Sequence, residues 1–319
     1  MKNKFLQLII VFLLTFVISS CGEYEQNDRI KIVTTIFPQY SFVKEIVGDL
    51  CDVEVVLKPG QDSHNFDPSV STVIKIKNAD IFVYTSDEME TWAAKLIESL
   101  NKNTIVNASK GIEHLILSED DHDDHDHPEG DHFHNHAFDP HIWTSIKNSI
   151  QMVETITTAI CLRDPSNSEI YKANSSRYIA ELKEMDNKFV ELFGKCSTDN
   201  HNHATLFFAC PFTFYYFIKD YHLNYQSLYN TCSTEVEPSA NDLINFINLI
   251  KAHSAEYIFT KELMSDDIPL KIVEQTGTKL RVLHSGHNIT HQEYENNLRY
   301  IDILKQNYEV LKEALHDSN

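Results

Sequence analysis

The sequence is missing the signatures of several large function classes. It has no GxxxxGK run followed by Ser or Thr, so it is not a P-loop ATPase. It has no HExxH and no GxSxG, and HQEYE at 291–295 has the wrong spacing for a zinc protease. A hydrolytic metal site also needs a base to handle metal-bound water. Glu88 and Asp67 are the candidates for such a base, and Asp67 in FDPS is more simply a helix cap. Six cysteines occur without a CxxC pair. The five beyond Cys21 (Cys51, Cys161, Cys196, Cys210 and Cys232) form no recognisable zinc-ribbon or disulfide framework, and any single pairing stays open. Positive charge is scarce: 27 Lys and Arg face 47 Asp and Glu, for a net charge of −20. That balance argues against nucleic acid as a partner and suits a chain that gathers cations.

The first 20 residues read as a bacterial lipoprotein signal peptide. Lys2 and Lys4 precede an apolar run from Phe5 to Ile18, and Ile18-Ser19-Ser20 leads into Cys21, the expected lipidation site. The run is short for a bilayer span, which needs about 20 apolar residues. Lipid on Cys21 would hold the remainder at a membrane surface, outside the cytoplasm, with residues 21–29 as a tether. Removing Lys2 and Lys4 from the 27 basic residues leaves 25 against 47 acidic, a formal charge of −22.

Between His114 and His136 lie seven of the 17 histidines, interleaved with eight carboxylates from Glu119 to Asp131. Imidazole and carboxylate are the ligands of Zn²⁺ and its first-row neighbours. The stretch 113–136 is too polar to bury apolar surface and should be a flexible loop without metal. His122, His125, His127, His132, His134 and His136 would then bind several ions weakly, and a single ordered site must lie on rigid elements elsewhere.

On either side of this loop the pattern alternates. Strands are expected at 30–36, 51–57, 79–84 and 103–108, with helices from Pro38 to about Val47, Val70 to Asn78 and Glu88 to Leu100. After the loop, Thr144–Leu162 and Ser168–Phe193 are apolar at helical spacing. Further strands are expected at 205–209, 223–229, 255–260 and 279–284, with helices at 214–220, 239–252, 267–275 and 291–315. Glu237-Pro238-Ser239 signals a helix start, with Ser239 as the cap and Asp242 three residues on. This order argues for α/β architecture with parallel sheets covered by helices. The expected organisation is an N-terminal lobe at 30–165, a connecting helix at 166–194 and a C-terminal lobe at 200–319. Twenty-six helical residues reach about 39 Å, enough to cross between two lobes.

Ligands of open α/β sheets bind beyond the carboxyl ends of the strands. Three histidines occupy such places: His64 after the 51–57 strand, His141 before the Thr144 helix, and His284 at the end of the strand near 279–283. A cleft between lobes would bring them together.

The motifs GQDSHNFDPS, NADIFVY followed by SDEMETW, the acidic histidine loop, DPHIW, EVEPSANDL and LHSGHNIT occur in an order that resembles the ZnuA/TroA-like family, the substrate-binding lipoproteins of zinc and manganese ABC transporters. The resemblance runs from Lys31 to the C-terminus. It implies two pseudo-symmetric α/β lobes with mostly parallel sheets, joined by one long helix. It also implies one metal ion in the cleft, delivered to a membrane permease that works with a separate ATPase chain, by a protein acting as a monomer. His64 and His141 match the family's first two ligands, and the fourth position, commonly an aspartate, falls on His284. The third falls on Pro211, which has no donor atom; water, a carboxylate or Cys210 would have to complete the set. All-imidazole ligation favours Zn²⁺ over Mn²⁺, which prefers oxygen donors and lies low in the affinity order. The alternatives are a manganese or iron member of the family and a surface zinc buffer or adhesin. Either would be a binding protein and not an enzyme.

Overall fold

The computed structural model describes residues 29–61, 66–117, 137–196, 205–229 and 237–316. The signal segment, Cys21, His64, the six loop histidines from His122 to His136, and Cys232 lie outside the described residues. Among the described residues no helix is long and apolar enough to cross a membrane.

Two four-stranded sheets, each wholly parallel, make the two lobes. The first is built from β1 (Lys31–Thr34), β2 (Asp52–Val55), β3 (Ile81–Tyr84) and β4 (Ile105–Asn107) in the order β2-β1-β3-β4. A short antiparallel pair, β5 (Ile116–Leu117) and β6 (Ala137–Phe138), closes the root of the histidine-rich segment. The second sheet comprises β7 (Thr205–Phe208), β8 (Asn224–Ser227), β9 (Tyr257–Thr260) and β10 (Lys279–Val282) in the order β10-β9-β7-β8. In both sheets the first strand lies between the second and the third. Each lobe therefore has a switch point at the carboxyl ends of its first and third strands, where a ligand crevice forms.

Helix α1 (Phe37–Val47) starts with Pro38 in its first turn and ends at Gly48, whose φ of 54° suits glycine. α2 (Val70–Lys77) is capped by Ser69, which accepts from the Thr72 amide, and not by Asp67. The helix expected over 88–100 is reduced to a 3₁₀ turn at Thr91–Ala93 and a short α3 (Ala94–Glu98). Glu90 is the reason. Its fully buried carboxylate turns back to accept from the amides of Thr85 and Ser86 and the hydroxyls of Thr35 and Thr85, so residues 86–90 form a loop across the first switch point. Burial pushes this carboxyl up, and the hydrogen bonds from Thr35, Thr85 and Ser86 pull against it.

α4 (Ile146–Arg163) leads to the connector, α5 (Ser168–Cys196). Its 29 residues span about 43 Å at 1.5 Å each. The stripe Tyr171, Tyr178, Leu182, Met185, Phe189 and Phe193 is buried along its whole length, in a core cluster that also holds Phe42 and Ile156 of the first half and Phe217, Tyr300 and Leu311 of the second. Beyond it come α6 (Tyr215–Tyr221), α7 (Ala240–Ala252) and α8 (Asp267–Thr276). At the start of α7 the Ser239 hydroxyl accepts from the Asp242 amide while the Asp242 carboxylate accepts from the Ser239 amide, a complete capping box. The C-terminal helix, expected as one piece over 291–315, is two: α9 (His291–Glu295) and α10 (Tyr300–His316). Asn297, at φ 54°, breaks it, and the Tyr300 amide that follows donates to Ser41 of the first lobe.

Candidate metal centre

His141 follows β6 and opens the 3₁₀ turn Ile142–Thr144. It is fully buried, and its Nδ1 lies 2.7 Å from Asp139 Oδ1, which also accepts from the His141 amide at 3.1 Å. A carboxylate at that distance accepts a hydrogen bond from Nδ1–H, so in the neutral ring the lone pair resides on Nε2. This carboxylate–histidine arrangement is the one that orients metal-ligating imidazoles and raises their basicity. Asp139 is itself fixed: its amide donates to the Leu115 carbonyl, and its carbonyl accepts from Tyr216 Oη at 3.0 Å.

Opposite His141, the second lobe presents His287, three residues beyond His284. The rings of His141 and His287 meet edge to face with centroids 5.6 Å apart, and Trp143 packs against both, at 5.4 Å and 5.3 Å. The Trp143 indole N–H crosses between the lobes to the Ser285 carbonyl at 3.0 Å. The loop is shaped by Gly286, at φ 72°, where an added Cβ would stand 3.2 Å from the Tyr300 ring. From the other side Glu262 accepts from the Ser285 amide at 2.7 Å and from its hydroxyl, which in turn accepts from the His287 amide.

His284 has different company. Its backbone is clasped by Asn307, which accepts from the His284 amide and donates to its carbonyl. Its Nδ1 accepts from the Gly286 amide at 2.9 Å and lies 3.5 Å from Glu262, while Nε2 is 4.0 Å from Glu293. With Nδ1 occupied as an acceptor, the neutral ring carries its proton on Nε2. In this arrangement Nδ1 is held by the loop's own backbone, and the buried Nε2 has no hydrogen-bond partner among the described residues.

Cys210 is fully buried, and burial pushes its thiol up to about 12. It lies with Pro211 and Phe212 in an apolar wall; Phe212 stacks on Tyr225 with centroids 4.3 Å apart. Cys51, Cys161 and Cys210 are all free thiols. His64 is outside the described residues, but the loop leading to it is anchored on the His287 side. Asn288 accepts from the Gly60 amide at 3.0 Å and donates to the Gln61 carbonyl. Among the described residues no three His, Cys, Asp or Glu side chains converge as a metal cluster. Of the expected ligands, the described residues bring His141 to the cleft, paired with a histidine that sequence reasoning missed. The signal for His287 was the HSGH spacing: a glycine between two histidines lets the chain reverse and give each a different environment.

Two parallel-sheet lobes on one long helix, with an anchored imidazole at the line where they meet, define a helix-linked metal-receptor fold. The chain belongs to the family described as zinc-uptake complex component A, periplasmic (ZnuA), whose model matches residues 32–314. It is 32% identical over 324 residues to the high-affinity zinc uptake system protein ZnuA of Bacillus subtilis strain 168, covering 99% of each. It is 30% identical over 312 residues to the zinc-binding lipoprotein AdcA of Streptococcus pneumoniae R6, and spans 98% of its own length but only 61% of that relative. Among solved structures it is similar to the metal-dependent lipoprotein YcdH of B. subtilis, with a TM-score of 0.74, 31% identity, and 90% and 99% of the two chains covered. It is also similar to zinc-bound AdcA of S. pneumoniae, with a TM-score of 0.73, 28% identity, and 90% and 58% covered.

Proposed function

We propose that this chain is an extracytoplasmic receptor that captures Zn²⁺ in the cleft between its lobes and passes it to the permease of an ABC transporter, whose ATPase is a separate chain. The observation that carries this reading is the His141–His287 pair, one imidazole from each lobe, with His141 locked by Asp139 in the tautomer that ligation requires. His64 is the third ligand in this reading, which gives three nitrogen donors and a fourth position open to water. Such a set suits tetrahedral zinc, whereas Mn²⁺ favours oxygen. His284 then supports the loop and does not ligate.

Binding, and not catalysis, is the proposed outcome. Asp139, Glu262 and Glu293, three carboxylates beside this region's histidines, are committed to His141, to Ser285 and to the cap at Thr290. Lipidation at Cys21 and delivery at a bacterial membrane are part of the same proposal, in keeping with the lipoprotein naming of the AdcA relative. Calorimetric titration of the chain from Cys21 onward tests it: one tight zinc equivalent is expected, and the absence of tight binding would refute it.

A further inference from the structure

We infer that Asn288 is an interlobe latch: a positioning residue that ties the loop leading to His64 to the loop carrying His287, preassembles the cleft and slows zinc release. The inference rests on the zinc reading above for its second half only. Asn288 immediately follows His287, and its side chain reaches 228 positions back along the chain. There its Oδ1 accepts from the Gly60 amide at 3.0 Å while its Nδ2 donates to the Gln61 carbonyl. A carboxamide is needed for this, because only it offers an acceptor and a donor side by side to adjacent backbone groups. The same Oδ1 accepts from the Ile289 amide at 2.7 Å, which fixes the direction of the side chain.

The loop that carries the latch is held firmly on its own side. Glu262 binds Ser285 through both amide and hydroxyl, the Ser285 hydroxyl takes the His287 amide, and Trp143 holds the Ser285 carbonyl. Among the described residues, Gln61 closes the loop at 58–61 onto Lys58 through one backbone and one side-chain bond. Both Gly60 and Gln61 are exposed. Asn288 therefore ties the turn at 58–61 to a braced loop at the rim of the cleft, three residues before His64 and one after His287. A ligand that is not held in advance must be ordered at each binding event. Fixing that loop in advance lowers the ordering cost and slows dissociation.

Asn288→Ala and Asn288→Asp in the chain from Cys21 onward provide the test. Asp retains the acceptor for Gly60 and Ile289 but sets an anion against the Gln61 carbonyl. Two measurements apply: hydrogen exchange at the Gly60 amide in zinc-free protein, and zinc release followed by stopped flow with excess chelator. The latch predicts that Asn288→Ala raises Gly60 exchange and zinc release each on the order of tenfold, the effect of losing one or two net hydrogen bonds. For Asn288→Asp it predicts accelerated release with Gly60 exchange much closer to wild type. A role confined to the local turn predicts wild-type release in Asn288→Asp, and that result would overturn the proposal. So would Gly60 exchange in Asn288→Ala within twofold of wild type. If the wild-type protein binds no zinc tightly, the receptor reading and the retention half fail together, while the exchange arm still decides the latch itself.

Discussion

His141 and His287 come from opposite lobes and meet edge to face with ring centroids 5.6 Å apart, Trp143 filling the angle between them. The two rings are held by separate means. His141 is fixed by a buried carboxylate, and His287 by a loop whose shape depends on a glycine and on Glu262.

Gly286 is the conformational pivot. At φ 72° an L-residue is strained by about 1–2 kcal/mol, and its Cβ would press on Tyr300 at 3.2 Å. Gly286→Ala should lower stability by about that amount in urea denaturation. It should also weaken zinc binding at least tenfold, because the residue next to His287 is displaced; unchanged affinity would mean that His287 takes no part.

Cys210 should be inert. Its pKa, pushed up to about 12 by burial, leaves the thiol neutral throughout the physiological range, because an acid with a raised pKa keeps its proton until the pH approaches that value. Alkylation of the folded protein at Cys210 should be negligible from pH 7 to 9, read by mass spectrometry of the modified peptide. Cys210→Ser should leave zinc affinity within about threefold of wild type, and a larger loss would make Cys210 a ligand.

The strands were the most legible part of the sequence. Their β-branched runs alternate with helical periodicity, and all eight strands of the two main sheets fall inside the expected stretches. The connector was legible from the apolar stripe Tyr171 to Phe193. What escaped was set by long-range contacts. Glu90 abandons a helix to bind Thr35 and Thr85, and the Tyr300 amide finds Ser41, 259 positions away. No local propensity encodes either. His284 is the ligand expected from the sequence and His287 is not; the positive φ at Gly286 and the clasp of Asn307, which separate their surroundings, are not visible in the loop's composition.

We propose that the histidine-rich segment beyond β5, with His122, His125, His127, His132, His134 and His136, acts as a low-affinity antenna. Imidazoles and carboxylates alternate from His122 to His136, so many donor sets are equivalent in type, and each ion bound would have to offset the cost of ordering several residues at about 1–2 kcal/mol each. Deleting Asp120–His136 should remove the weak equivalents in a zinc titration, leave the tight site within a few-fold of wild type, and slow uptake only when zinc is scarce. Loss of the tight site would assign a ligand to the segment.

A continuous α5 buried along one face resists a large hinge bend. Zinc should order the cleft without closing the lobes, so solution scattering with and without the metal should differ by less than about 1 Å in radius of gyration; lobe closure of several ångströms is a hinge motion that a single packed helix does not accommodate.

The most direct test compares His287→Ala with His284→Ala by calorimetric zinc titration, beside His141→Ala and His64→Ala. The account predicts that alanine at 64, 141 or 287 weakens the tight site at least tenfold, about 1.4 kcal/mol, and that His284→Ala stays within a few-fold of wild type. Wild-type affinity in His287→Ala together with a large loss in His284→Ala would contradict it.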